Sequence, residues 1–204
     1  MWQWYIHSPG RSSGTHAIRT RPDDGRSPMT TSAPEARSLR VLVDGFERVD
    51  GLVGKILSGL GPDQLSWRPQ GTGNSIAWLV WHLSRIQDDH LADAAAEEQV
   101  WTAQGWVQRF ALPFDPAATG YGHTSAEVDA VRVGSGDLLG DYHRAVHEQS
   151  VRQLESWGDH DLDRVVDERW DPPVTLAVRL VSVLSDALQH AGQARYLRGL
   201  LPDR

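Results

Sequence analysis

Residues 175–201 read TLAVRLVSVLSDALQHAGQARYLRGLL and contain the pattern that decides the fold. Apolar residues and one histidine recur there at alternating steps of three and four, the spacing of one face of an α-helix. The positions are Leu180, Val183, Ala187, His190, Ala194, Leu197 and Leu201. We therefore predict one long helix across this stretch, with His190 inside its apolar stripe.

An aspartate and a histidine share this predicted helix face. Asp186 precedes His190 by four residues, so the two side chains lie one turn apart. A buried carboxylate costs free energy unless it is paired or binds a metal ion. The two residues are therefore either ligands of one ion or a hydrogen-bonded pair in a polar core patch. The spacing alone leaves both interpretations open, because Asp-x-x-x-His is not a specific motif.

Three further amphipathic segments predict helices earlier in the chain. They cover about residues 35–60, 74–93 and 137–157. Asn74 or Ser75 caps the second helix, and Pro172 and Pro173 force a break before the last one. The only candidate strand is a short run at residues 164–166. We therefore predict an all-α four-helix bundle, an architecture that builds ligand and metal sites from side chains on facing helices.

A second histidine borders the apolar stripe of the second predicted helix. His82 lies three residues after Leu79 and four before Ile86. Taken alone, a histidine in such a position is more often a satisfied core or boundary residue. Together with Asp186 and His190, however, it supplies two imidazoles and one carboxylate from two helices. Zinc, nickel and iron bind such sets, and three protein ligands leave positions open for water or substrate.

The segment from about residue 100 to residue 136 has no helical periodicity, and we predict a long irregular connection between the second and third helices. It contains several aromatic residues, among them Trp101, Trp106, Phe114 and Tyr121. Long loops inside compact domains often bind ligands or close over a site. We expect this connection to cover the site, exclude water and hold a substrate.

The third predicted helix carries His143 and His147, four residues apart. On spacing alone, such a pair can bind one ion. Both positions, however, fall toward the polar flank of the helix when successive residues are placed about 100° apart. We therefore predict a solvated surface pair and not a metal site.

Composition excludes several classes of protein. The chain has 204 residues, a formal charge of −7 and no cysteine. The acidic balance argues against nucleic-acid binding, and no apolar run reaches the length of about 18 residues that a membrane span needs. Any chemistry depends on histidine, acidic or hydroxyl side chains, or on an external thiol. We predict a cytoplasmic protein with a disordered leader over residues 1–34, Met29 as an alternative start, and one domain over residues 35–204.

Two stretches resemble the DinB/YfiT-like superfamily. They are NSIAWLVWHL at residues 74–83, followed by Arg85 and DDH at 88–90, and DALQHAGQARYLR at residues 186–198. The resemblance implies an up-down-down-up four-helix bundle with a three-ligand metal site, and the ligands carry over to His82, Asp186 and His190. Thiol-dependent members often have glutamate in place of Asp186, and some relatives have a second histidine in place of Gln193.

The resemblance also implies an activity. Members include metal-dependent transferases that use thiols such as mycothiol or bacillithiol, and mycothiol-dependent maleylpyruvate isomerases. We therefore expect a thiol S-transferase that binds a divalent metal and acts on a small electrophile. Zinc is the first candidate metal, with nickel, iron and manganese as alternatives. Substrate contacts are expected from Trp101, Trp106, Arg85 and Arg195.

Two other functions stay open at this point. The same metal site could activate water for hydrolysis. Alternatively, the chain is a non-catalytic metal-binding or structural bundle that recognises another protein, for example in a stress response. Association into a homodimer is compatible with the family and is not decided by the sequence.

Overall fold

The structure, a computed structural model, describes residues 37–201, which contain eight α-helices, two short 3-10 helices and a small hairpin. The helices are α1 (Arg37–Leu57), α2 (Pro62–Ser66), α3 (Ile76–Ala95), α4 (Val100–Ala103), α5 (Trp106–Phe110), α6 (Ser125–Ala130), α7 (Gly136–Ser156) and α8 (Leu176–Leu200). Strands β1 (Val165–Asp167) and β2 (Val174–Thr175) pair antiparallel. No helix in this part of the chain is both long and apolar enough to cross a membrane. The predicted leader at residues 1–34 and Met29 lie outside the described residues.

The four long helices α1, α3, α7 and α8 are those that the apolar periodicity predicts. Two of them begin at capped residues. The hydroxyl of Ser75 accepts a hydrogen bond from the backbone N–H of Trp78 at 3.1 Å, and Thr175 accepts one from Val178 at 3.4 Å. Such caps satisfy backbone donors that the first helical turn leaves unpaired. The all-α fold class is therefore confirmed.

The long helices run up, down, down and up. Helices α1 and α8 are parallel, α3 and α7 are parallel, and each helix of one pair packs antiparallel against a helix of the other. The contacts that fix these directions are Gly45–Leu184 and Ile56–Arg198, Ser84–His143 and Gln87–Ser150, Leu57–Gly136 and Asp50–His143, and His82–His190 and His90–Arg179. The topology that the family resemblance implies is thus confirmed.

The apolar core of the bundle has two parts. The larger cluster joins the first half of α3 to the second halves of α1 and α8, to α7 and to the connection between α3 and α7. The smaller one joins the start of α8 to the end of α3. Val183 belongs to the smaller cluster and Ala187 to the larger one, so Asp186 lies between two apolar regions.

The connection between α3 and α7 is long, as predicted, but it is packed and partly helical. It contains α4, α5 and α6, each of four to six residues, which is too short for a 3.6-residue period to be recognised. Trp101, Trp106 and Phe110 are buried and surround the ring of Tyr142 on α7 at centroid distances of 5.1, 5.5 and 5.7 Å. These three aromatic side chains therefore anchor the connection to the bundle.

The prediction that His143 and His147 form a solvated pair is wrong. His143 is 1% exposed, and His147 is partly buried. The reason is that α7 packs against both α1 and α3, so its polar flank is covered as well as its apolar stripe. Ser84 on α3 makes this burial tolerable, because its hydroxyl lies 2.9 Å from Nδ1 of His143.

Burial of His143 predicts acid sensitivity of the metal-free protein. Burial lowers the pKa of this histidine to about 4. The charge of Asp50 opposes the shift, and His147 and Arg144 add to it. An unfolded histidine titrates near about 6.5, so between the two values the unfolded chain binds more protons. The free energy of unfolding should therefore fall as the pH drops from about 6.5 to about 4, by up to about 3 kcal/mol from this residue. Urea titrations across this pH range measure the free energy of unfolding of wild type and His143→Gln. The same pH dependence in both proteins would contradict the prediction.

Candidate metal centre

Three potential metal ligands converge between α3 and α8. One ligand atom each of His82, Asp186 and His190 lies within 4.8 Å of the other two, and no other such trio of His, Cys, Asp or Glu occurs among residues 37–201. Nε2 of His190 is 3.3 Å from Oδ1 of Asp186. Ligands bound about 2.0–2.1 Å from a tetrahedral ion lie about 3.3 Å apart. The donor set and this spacing fit a divalent metal ion.

A hydrogen bond at Nδ1 fixes the orientation of the His82 ring and leaves its Nε2 atom free. Its Nδ1 lies 2.6 Å from the carbonyl oxygen of Thr119, so the ring donates its proton there and keeps the Nε2 lone pair available. Burial lowers the pKa of His82, although the Thr119 hydrogen bond opposes this. A ring that donates one N–H to a carbonyl and offers the other nitrogen to an ion is the usual arrangement of a metal-binding histidine.

Asp186 has an oxygen that the protein does not satisfy. The residue is 4% exposed, and its Oδ2 atom is buried without a hydrogen-bond partner. An orphaned carboxylate oxygen in a core is costly, and a bound cation is one of the few ways to satisfy it. The unsatisfied oxygen of Asp186 is therefore available to a cation between α3 and α8.

His190 is held by both of its ring nitrogens. Nε2 faces Asp186, and Nδ1 lies 3.3 Å from the amide oxygen of Gln193. Burial alone would lower the pKa of His190, but the hydrogen bond and the charge of Asp186, with the contribution of Gln193, outweigh burial and raise it. Gln193 thus orients this ring at the position where some relatives have a second histidine.

Two aromatic residues that sequence analysis assigned no role form a wall of the site. The indole of Trp78 stacks on His82 at 4.6 Å and 14°, and meets His190 edge-on at 6.2 Å. Its Nε1 atom donates a hydrogen bond to Nδ1 of His123 at 3.2 Å, and His123 packs on Trp81 and Phe114. Trp78 lies one helical turn before His82, so the sequence spacing already predicts that the two side chains are close. The position of His123 depends on the path of the connection.

Gly120 allows the connection to approach His82 closely. Its φ angle of +94° is one that side chains rarely adopt, and a Cβ atom there would lie 2.7 Å from Nδ1 of His82. We expect Gly120→Ala to displace the Thr119 carbonyl and weaken metal binding by about 10–100-fold, the usual effect of losing an outer-shell partner.

The matched control for this prediction is Gly122→Ala. Gly122 also has a positive φ angle, +74°, but a Cβ atom added there would have no neighbouring atom within 4 Å. Competition titrations with a chromophoric chelator give the zinc affinity of both variants. Equal affinities for Gly120→Ala and Gly122→Ala would show that the close approach to His82 is unimportant.

The four residues predicted to contact substrate lie in different environments. Arg195 is exposed on α8. Arg85 is 0% exposed, and it donates to the carbonyl of Ala118 and to Gln99. Trp101 and Trp106 are core residues of the connection. The structure therefore brings together the three predicted metal ligands, buries Arg85 and the two tryptophans, and leaves Arg195 exposed. Contact of these four residues with a substrate stays a prediction.

Comparison with known proteins agrees with this arrangement. The family model described as mycothiol-S-transferase matches residues 41–202, which contain all three candidate ligands. The chain belongs to the mycothiol-S-transferase family. A crystal structure of a conserved protein from Enterococcus faecalis has the same fold, with 30% identity and a TM-score of 0.73 over 78% of this chain and 94% of that one. A comparison with curated proteins finds no match. The resemblance to the DinB/YfiT-like superfamily is thereby confirmed at the level of the family.

Proposed function

We propose that this member of the mycothiol-S-transferase family is a divalent-metal-dependent transferase. It joins a low-molecular-weight thiol of the mycothiol type to a small electrophilic substrate. The observation that carries the proposal is the convergence of buried His82, buried Asp186 and partly buried His190, with one carboxylate oxygen left unsatisfied. Such a set offers a cation three ligands and leaves coordination positions for a thiol.

His82, Asp186 and His190 would hold the ion, and zinc suits two imidazoles and one carboxylate. When bound, a divalent cation lowers the pKa of a thiol placed against it, which makes a thiolate available at neutral pH. Solvent would take the thiol proton, and the thiolate would form the new C–S bond to the electrophilic carbon. The displaced electron pair would leave with chloride, go to the opened epoxide oxygen, or form the enolate of an unsaturated ketone, which solvent then protonates. The chain has no cysteine, so the thiol comes from the cosubstrate.

The surrounding residues orient the ligands and shield the reaction. The Thr119 carbonyl and the Gln193 amide fix the two imidazole rings. The Trp78 indole covers one side of His82 and limits access of water, which would compete with the thiol. Arg195, exposed five residues beyond His190, offers a positive charge for anionic groups of the thiol cosubstrate.

The test is a conjugation assay with zinc-loaded protein that carries no histidine tag. Mycothiol is supplied with a panel of small electrophiles (a chloronitroarene, an epoxide and an unsaturated ketone), and the conjugate is measured by mass spectrometry. His82→Ala should lower the rate by more than about 100-fold, since ligand loss exceeds the effect of outer-shell changes. His160→Ala is the matched control, because this histidine is exposed and distant from the trio in sequence.

Three results would overturn the proposal in different ways. Consumption of an electrophile without any thiol would identify a hydrolase that activates water. Retention of one zinc ion per chain without conjugation or hydrolysis across the panel would identify a non-catalytic metal-binding bundle. Equal rates for wild type and His82→Ala would separate the activity from this centre.

A further inference from the structure

A second group of potential ligands lies between α1 and α7, away from the centre between α3 and α8. It consists of His143 and His147 on α7 and Asp50 on α1. Nε2 of His143 is 3.9 Å from Oδ1 of Asp50. Nε2 of His143 and Nδ1 of His147 are both buried without a hydrogen-bond partner. Buried nitrogen atoms in native proteins are rarely left unpaired, so two on one helix face need an explanation.

Ser84 fixes the tautomer of His143. The hydroxyl of Ser84 donates to the carbonyl of Val80 at 2.7 Å, so toward His143 its oxygen can only accept. Nδ1 of His143 therefore carries the ring proton, and Nε2 presents a lone pair on the side of Asp50. This is again the arrangement in which one ring nitrogen is anchored and the other is free for an ion.

The contact between His143 and Asp50 is unfavourable without a cation. A neutral Nε2 and a carboxylate oxygen are both acceptors, and two acceptors 3.9 Å apart in a partly buried place repel each other. Because Ser84 accepts the ring proton at Nδ1, the Nε2 side of the ring has no proton to offer Asp50. A divalent ion would satisfy both atoms.

His147 is the residue available to complete the group. It follows His143 by one helical turn, and histidines four residues apart on one helix face can share an ion. The side chain of Asp50 is 35% exposed, so the group is open to solvent on the α1 side. Ion entry therefore does not require the bundle to open.

We propose that His143, His147 and Asp50 form a second binding site for a divalent transition metal such as zinc, nickel or copper. Two imidazoles and one carboxylate are the ligand types that such ions select. The distance of 3.9 Å exceeds the roughly 3.3 Å between ligands of a tetrahedral ion, and the ligand atoms of the three residues do not all lie within 4.8 Å of one another, so at least one side chain must move for all three to bind one ion. The second site therefore binds metal more weakly than the first.

The test counts zinc ions per chain, and it needs no enzymatic activity. The full-length chain without a tag, with His7→Gln and His16→Gln to remove histidines outside the described residues, is titrated with zinc against a chromophoric chelator. The first site is removed in a second protein by Asp186→Asn with His190→Ala. The proposal predicts two ions per chain in the first protein and one weaker ion in the second.

Variants of the second group assign the weaker ion. Adding His147→Gln or Asp50→Asn, both at partly exposed positions, should reduce the count by one, and His160→Gln should not. Circular dichroism confirms that each variant is folded. Saturation of the parent at one ion, or binding of no ion once the first site is removed, would overturn the proposal. An ion that survives both His147→Gln and Asp50→Asn would overturn it as well.

Discussion

Asp186→Asn is expected to weaken zinc binding by more than about 100-fold while leaving the bundle folded. Loss of an outer-shell partner of a metal ligand lowers metal affinity by about 10–100-fold. Loss of Asp186, the one charged ligand of the proposed trio, should lower it further. Asparagine has nearly the same shape and can still accept a hydrogen bond from His190. The substitution removes the negative charge that would balance the cation, at a residue that is only 4% exposed.

The measurement is a competition titration of wild type and variant with the same chelator, at one pH and ionic strength. Asp44→Asn is the matched control, because Asp44 is a helical aspartate that pairs with Arg48 on the exposed face of α1. If Asp186→Asn bound zinc as tightly as wild type, the carboxylate would not be a ligand. Asp186 and His190 would then be the hydrogen-bonded core pair that their spacing also allows.

The long helices were predictable because each carries many turns of one pattern. Over twenty or more residues, chance apolar residues cannot imitate a 3.6-residue period, and the caps at Ser75 and Thr175 mark where two helices begin. The pairing of Asp186 with His190 followed from the same geometry, since both lie on one helix. His82 required a further step, because its proximity to α8 depends on how two helices pack.

The burial of Arg85 and His143 was not predictable from periodicity. A charged or polar side chain is normally solvated, and that expectation fails only where another segment provides partners. For Arg85 the partners are Gln99 and the carbonyl of Ala118, and for His143 the partner is Ser84. These partners come from the connection and from a neighbouring helix, and no local pattern in the chain identifies them.

The residues that orient His82 lie in the part of the chain with the weakest signal. Thr119 is 37 residues from His82, and it acts through its backbone carbonyl, which any residue type would supply. Gly120 is recognisable only once its positive φ angle and the neighbouring rings are known. Aromatic content correctly marked the connection as important, but not which of its atoms reach the site.

The largest loss of stability is expected from Asp88→Ala. This carboxylate is 3% exposed, and it accepts hydrogen bonds from the backbone N–H groups of Val100 and Trp101, each at 2.8 Å, and from the Tyr142 hydroxyl at 3.0 Å. Arg85, which is fully buried, lies 3.6 Å away. Alanine would leave a buried guanidinium without its counter-charge and several donors unpaired. The free energy of unfolding should fall by about 3–5 kcal/mol, the cost of breaking a buried ion pair from one side.

Guanidinium chloride titrations followed by far-UV circular dichroism test this prediction. Asp44→Ala removes an exposed i,i+4 pair with Arg48, which solvent screens, and should lower the free energy of unfolding far less than Asp88→Ala does. Arg85→Met combined with Asp88→Leu removes both charges and should be less destabilising than Asp88→Ala alone. A loss for Asp88→Ala that is no larger than that for Asp44→Ala would show that the buried network contributes little.

Asp88→Ala should also weaken metal binding, because Asp88 and Arg85 hold the start and the middle of the connection between α3 and α7. Asp88 fixes the backbone at Val100 and Trp101, and Arg85 donates to the carbonyl of Ala118, the residue before Thr119. The Thr119 carbonyl in turn orients His82. If the helices alone held the metal centre, Asp88→Ala would bind zinc as tightly as wild type under conditions where the variant remains folded. If the affinity falls together with stability, the connection forms part of the metal centre, and its sequence determines how the ion is held.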